Sequence, residues 1–127
     1  MPDTALTIVW VAVGAAIGGP LRFLISILMA RHFGEDFPFG TILVNVVGSF
    51  LIGVMGALAI AHPDAAGLPW AFGVTGLLGS FTTVSSFALQ TYGLIEEHAY
   101  LRAGLNIFLS LAGCMIAVAL GFLAGAS

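Results

Sequence analysis

The chain has 127 residues, 60% of them hydrophobic and only 7% charged, with three Lys or Arg against six Asp or Glu and a net charge of −3. Soluble domains carry about 25% charged residues, and a domain of this size keeps about a third of its surface in water. So apolar a chain excludes a soluble enzyme, a nucleic-acid binder, which needs a basic surface, and a disordered segment. An integral membrane protein remains.

Met1-Pro2-Asp3-Thr4 lacks a basic n-region, and the apolar stretch after it is longer than a signal-peptide core, so no cleavage is expected. A membrane-spanning helix needs about 20 predominantly apolar residues. Four stretches qualify, roughly 5–30, 39–61, 69–95 and 100–125. Arg31-His32-Phe33-Gly34-Glu35-Asp36 separates the first pair, His62-Pro63-Asp64 opens the second break, and Glu96-Glu97-His98 separates the third pair. Separators this short make neighbouring helices antiparallel and leave no room for a second domain. The expected fold is all-α, a four-helix transmembrane bundle occupying 1–127 as one domain. Arg31 and Arg102 lie on one side and no Lys or Arg on the other. The positive-inside rule puts that side in the cytoplasm, but a margin of two arginines permits insertion both ways round.

In the first span Gly14 and Gly18 form a G-x-x-x-G pair, as Gly121 and Gly125 do in the fourth, while Gly73, Gly76 and Gly79 recur every third residue. Small residues let apolar helices approach closely. In the second span Thr41, Asn45 and Gly48/Ser49 share one helical face, and in the fourth Asn106, Ser110 and Gly113/Cys114 do the same. The third span holds Gly79-Ser80-Phe81-Thr82-Thr83-Val84-Ser85-Ser86-Phe87, with five hydroxyls in seven residues. Ser and Thr side chains compete for backbone bonds and disfavour a continuous helix there. Non-helical backbone at membrane depth is tolerated only where it is buried in protein or lines a cavity or ion site. If the helix resumes after the break, Thr83, Ser86/Phe87 and Gln90 share a stripe.

All six carboxylates fall in termini, loops or span ends, as do His32, His62 and His98. Proton-coupled pumps ordinarily hold a titratable group inside the membrane, so passive permeation is favoured. What lines the spans is neutral and rich in donors: hydroxyls, the carboxamides of Asn45, Asn106 and Gln90, and phenylalanine ring edges. Arg22 is the one charge well inside a span. It either anchors the helix by snorkelling or contributes to an anion's electrostatic environment. Donors, ring edges and a cation suit an anion, and a strongly hydrated one needs many donors to replace its water. Cys114 is the single cysteine, so no intrachain disulfide is possible.

Three segments now resemble the CrcB/Fluc family of fluoride channels: Gly18-Gly19-Pro20-Leu21-Arg22-Phe23, then Gly40-Thr41-Ile42-Leu43-Val44-Asn45-Val46-Val47-Gly48-Ser49-Phe50, then Gly76 through Phe87. The resemblance covers nearly the whole chain. It implies a fluoride-selective channel for passive efflux of cytoplasmic fluoride, relieving its toxicity, in the inner membrane of a microbial cell. It further implies an antiparallel, dual-topology homodimer with two pathways, and no enzymatic activity. A structural sodium ion is implied at the dimer centre, held by the carbonyls of Gly79 and Thr82 where the third helices break. The family's pore asparagine falls on Asn45 and its fourth-span polar track on Asn106, Ser110 and Cys114. Together with the stripes, the expected fluoride path comprises Arg22, Thr41, Asn45, Thr83, Ser86, Phe87, Asn106 and Ser110. Of the two pore-lining phenylalanines usual in the family only Phe87 is present, since Val84 stands at the other position; Gln90 replaces a common glutamate and Cys114 a common serine. A proton-coupled exporter of organic cations would need a carboxylate within the first span, and the span has none. A non-conducting assembly subunit would leave the polar stripes without a purpose.

Overall fold

A computed structural model describes residues 3–127; the first two residues of the expected domain lie outside the described residues. Every regular element among them is helical. Helix α1 runs Thr4–Phe33 and α2 runs Phe39–Ala61. A 3-10 turn, Pro63–Ala66, leads into the third span, which is made of α3 (Leu68–Trp70), a π-helical stretch (Ala71–Leu78), α4 (Gly79–Phe81) and α5 (Ser85–Glu96). Helix α6, Tyr100–Ala126, completes the chain. Four stretches are long and apolar enough to cross a membrane: Thr4–Phe33, Phe39–Ala61, Leu68–Glu96 and Tyr100–Ala126.

Local chemistry sets the ends. The Asp3 carboxylate accepts from the Ala5 amide at 3.1 Å and caps α1. At its other end Gly34, at φ 82°, donates to the Ala30 carbonyl at 2.8 Å. A left-handed conformation of this kind favours glycine. Pro20, inside α1, has no amide to give the turn before it. At one end of the bundle the Arg102 guanidinium donates to the Asp36 carbonyl at 3.2 Å, tying the start of α6 to the α1–α2 loop.

Two close helix pairs build the bundle: α1 lies along the π-helical stretch, and α2 lies along α6. Glycine makes both possible. A Cβ at Gly14 would meet the Phe72 carbonyl, one at Gly18 the Leu77 carbonyl, and one at Gly76 the Val11 carbonyl. On the other pair, Gly53 faces the Val118 carbonyl, Gly121 the Phe50 carbonyl and Gly125 the Val54 carbonyl. Both G-x-x-x-G pairs are thus used for packing, while Gly73 and Gly79 are not: a Cβ there would find only ordinary contacts, at 3.8 Å and 3.6 Å. Trp10 adds an edge-to-face contact with Phe72, centroids 5.8 Å apart. The buried face of α6 carries Ala103, Asn106, Ser110, Ala117 and Gly121, a stripe of mostly small residues at helical spacing.

Gly121→Leu should force α2 and α6 apart and lower stability by about 1–3 kcal/mol, the usual cost of overpacking. Thermal unfolding in detergent checks this. Gly104→Ala, where nothing lies within 4 Å of the added methyl, should melt with the parent.

Candidate functional site

The site is built around residues 82–84, between α4 and α5. Helix α4 ends as Thr82 turns extended, φ −90° and ψ 160°. The Thr82 amide and hydroxyl both donate to the Leu78 carbonyl, each at 3.0 Å, closing the last turn. The next residue leaves the helical course altogether. The Thr83 amide donates to Asn45 Oδ1 at 2.7 Å, and Asn45 Nδ2 donates to the Thr83 carbonyl at 2.8 Å. The Asn45 carboxamide therefore pairs with one peptide backbone as a neighbouring strand would. This pairing also fixes which side-chain atom is oxygen and which nitrogen. The Thr83 hydroxyl accepts from the Ser86 amide at 3.1 Å and meets Ser85 Oγ at 3.2 Å, capping α5. Gly48, one turn beyond Asn45 on α2, lets the Thr82 methyl group seat against the α2 backbone.

A second set of bonds joins α5 to α6. The Thr91 hydroxyl donates to the Phe87 carbonyl at 2.8 Å, Asn106 Nδ2 donates to Thr91 Oγ1 at 2.8 Å, and the Ser110 hydroxyl donates to Asn106 Oδ1 at 3.4 Å. Asn106 is fully buried. Its carboxamide is satisfied only through this chain, which matters where water is scarce. Thr91 was missed by sequence reasoning, which set Gln90 on the stripe. With α5 starting at Ser85, it is Phe87, Thr91 and Leu94 that turn inward, and Gln90 is exposed. A threonine four residues after a pore-candidate phenylalanine was the available signal.

The remaining expected residues are spread more widely. Thr41 is buried on α2 and stands in the wall of a cavity of about 620 Å³ at the α1–α2 loop, with Ser26 and Gln90. Glu35, Asp36 and Glu97 line the same cavity. Arg22 is half-buried on α1 and takes part in none of the bonds above. Ser86 and Phe87 are half-buried, Cys114 likewise. Gly79 is exposed and helical, and Val84 is 79% exposed, so both lie on an outer face of the chain. Asn45, Thr83 and Ser86 are thus brought together, and Phe87, Asn106 and Ser110 are joined through Thr91.

A family model described as CrcB-like protein, Camphor Resistance (CrcB), matches residues 9–122. The chain belongs to the CrcB family. Among its relatives is a protein of Rhodopseudomonas palustris named fluoride-specific ion channel FluC 2, 52% identical over 92% of this chain and 91% of that protein. A fluoride-specific ion channel FluC of Opitutus terrae is 47% identical over 91% of this chain and 89% of its own length. One from Shewanella woodyi is 48% identical over 90% and 91% respectively. The CrcB relatives are channels by name and not enzymes, and with four spanning helices this CrcB member is a multi-pass membrane protein.

Thr91→Val keeps the shape of the side chain but removes the acceptor for the buried Asn106 amide. The expected loss is about 1 kcal/mol, in the range for a buried hydrogen bond between membrane helices. It should appear as a lower thermal midpoint in detergent, whereas Gln90→Ala at the exposed neighbouring position should leave the midpoint unchanged.

Proposed function

We propose that the chain is a fluoride-selective channel through which cytoplasmic fluoride leaves a microbial cell passively across the inner membrane, reducing fluoride toxicity. The observation that carries this reading is the run of uncharged hydrogen-bonding groups from Asn45, Thr83 and Ser86 to Phe87, Asn106 and Ser110, in a chain whose relatives are named fluoride-specific ion channels. Fluoride gives up hydration only where donors replace it. Asn45 Nδ2 carries two hydrogens and gives one to Thr83, which leaves one for an anion. The Ser86 hydroxyl and the positive edge of the Phe87 ring extend the path, and the Ser110 hydroxyl, whose one proton goes to Asn106 Oδ1 at 3.4 Å, serves an anion only by giving up that bond. Val84 offers no ring edge, so Phe87 is the aromatic element on which this account relies. Thr41 stands at the mouth, in the cavity wall, and Arg22 adds positive potential from α1. Beyond the mouth no carboxylate lies along the path within the spans, which suits downhill anion flow and offers nothing for proton coupling there.

The assembly we propose is an antiparallel homodimer of dual topology, with a broken third helix in each chain and a structural sodium ion between them. The donors suit the ion: Gly79 lies on an open outer face, and extended Thr82 turns its carbonyl away from the helical course. Backbone carbonyls of Gly79 and Thr82 from each chain would hold it, as oxygen ligands suit a hard cation. Sodium bound there supplies a fixed positive charge that favours anions nearby. The chain's own contribution is to present those oxygens and to keep the adjacent path uncharged.

Purified protein in liposomes should release fluoride and not chloride when followed with an ion-selective electrode. Asn45→Asp should slow the release at least tenfold by placing a like charge in the path. A folded protein with no fluoride-selective flux would overturn the assignment. The cavity carboxylates give a second expectation. At about 10 Å in water a unit charge repels another by only about 0.4 kcal/mol, so Glu97→Gln should raise flux at most about twofold. Flux measured at low and high salt should show the gain shrinking as the charges are screened.

A further inference from the structure

In a continuous helix each amide bonds the carbonyl four residues earlier. The Gly79 carbonyl would be paired by the Thr83 amide, and the Thr82 carbonyl by the Ser86 amide. Neither donor is available for this. Asn45 Oδ1 takes the Thr83 amide at 2.7 Å, and Thr83 Oγ1 takes the Ser86 amide at 3.1 Å. The two carbonyls that lose their helical donors to side chains are the two proposed above as cation ligands. A second geometric consequence follows from the trans peptide bond, whose N–H and C=O point in opposite directions. With the Thr83 amide directed at Asn45 on α2, the carbonyl of the same peptide unit, that of Thr82, is directed away from α2.

We infer that Asn45 and Thr83 are positioning residues for the cation site: their side chains capture the Thr83 and Ser86 amides and so hold the Gly79 and Thr82 carbonyls unpaired and facing outward. The inference rests on the sodium reading proposed above and adds to it. Asn45 then serves both the N–H and the C=O of one residue, Thr83. Its oxygen sets the cation ligands through the Thr83 amide, while its remaining N–H stays on the path side. The Thr83 hydroxyl acts three residues further on, at the Ser86 amide, and does for Thr82 what Asn45 does for Gly79.

The test is a sodium titration of thermal stability in detergent, with N-methylglucamine as the replacement cation, so that no fluoride flux enters the measurement. A site bound only in the folded state raises the midpoint as sodium is added, with a half-point that reports affinity. The parent protein should be stabilised by sodium. Asn45→Val, which loses the acceptor for the Thr83 amide, should shift the half-point up at least tenfold. Asn45→Asp keeps an oxygen for that amide but loses the bond to the Thr83 carbonyl, so it should titrate nearer the parent than Asn45→Val does while still slowing fluoride flux. Thr83→Ser should titrate like the parent and Thr83→Val should shift tenfold, a pair that decides the matter if Asn45→Val does not fold. Unshifted titration in both valine variants overturns the inference and leaves the sodium reading standing. No sodium dependence in the parent overturns both, and fluoride flux remains a separate measurement.

Discussion

In hydrocarbon no water is available to pair a stray amide or carbonyl, and each one left unpaired costs several kcal/mol. That constraint governs what can surround residues 82–84. When the helical ladder stops at Phe81, the carbonyls of the last turn and the amides of the next lose their partners together. Asn45 answers for the Thr83 peptide with two bonds of 2.7 and 2.8 Å, and the Thr83 hydroxyl answers for the Ser86 amide. The rest of the bundle is arranged so that Asn45 can reach. Helix α2 must come close to Thr82, which Gly48 permits, and must be held there along α6, which Gly53, Gly121 and Gly125 permit. A side chain at any of these glycines would push away the helix that carries the asparagine.

Charge distribution follows from the same scarcity of water. Apart from Arg22, half-buried on α1, charged groups are confined to the ends, where Glu35, Asp36 and Glu97 line a cavity open to solvent and Arg102 holds the loop at Asp36. Elsewhere within the spans, polarity is carried by groups that stay neutral. Neutral donors differ from charged ones in what they ask of a passing ion. A buried arginine binds an anion tightly and holds it, whereas a serine or carboxamide offers one donor at a time and lets go. For the proposed path, weak sites in series suit flow better than one strong site.

Much of this was legible in the sequence, for reasons that can be located. Four apolar runs with polar separators specify four spanning helices, because length and hydropathy act locally. The two G-x-x-x-G pairs foretold close packing, since only a missing Cβ allows backbone to meet carbonyl. The hydroxyl-rich segment at 79–87 signalled irregular helix for a local reason too, namely side chains competing for backbone bonds. What escaped was anything that depended on phase or on distance along the chain. Thr91 was passed over for Gln90 because α5 begins at Ser85, and the inward face is counted from that start. The use to which Asn45 is put depends on a partner 38 residues away, and nothing in the stripe Thr41, Asn45, Gly48 indicates a backbone partner rather than an ion. Gly79 and Gly76 look alike in the sequence, yet one is open and the other meets Val11.

The identity of residue 45 can be argued from the bonds it makes. The Thr83 residue offers one backbone donor and one backbone acceptor, so its partner must supply both from a rigid, planar group. Aspartate has acceptors only and would set a carboxylate oxygen against the Thr83 carbonyl; leucine has neither; serine has both on one atom and cannot span the two. Glutamine carries the right amide on a longer arm, displaced from a backbone that Gly48 already draws close. Asparagine alone fits, and after meeting both demands it retains one N–H. That last hydrogen is fixed in direction because the amide cannot flip without losing both bonds. A residue recruited to repair a backbone is thereby left with a single donor fixed in direction, and the proposed anion path takes its preorganisation from that repair.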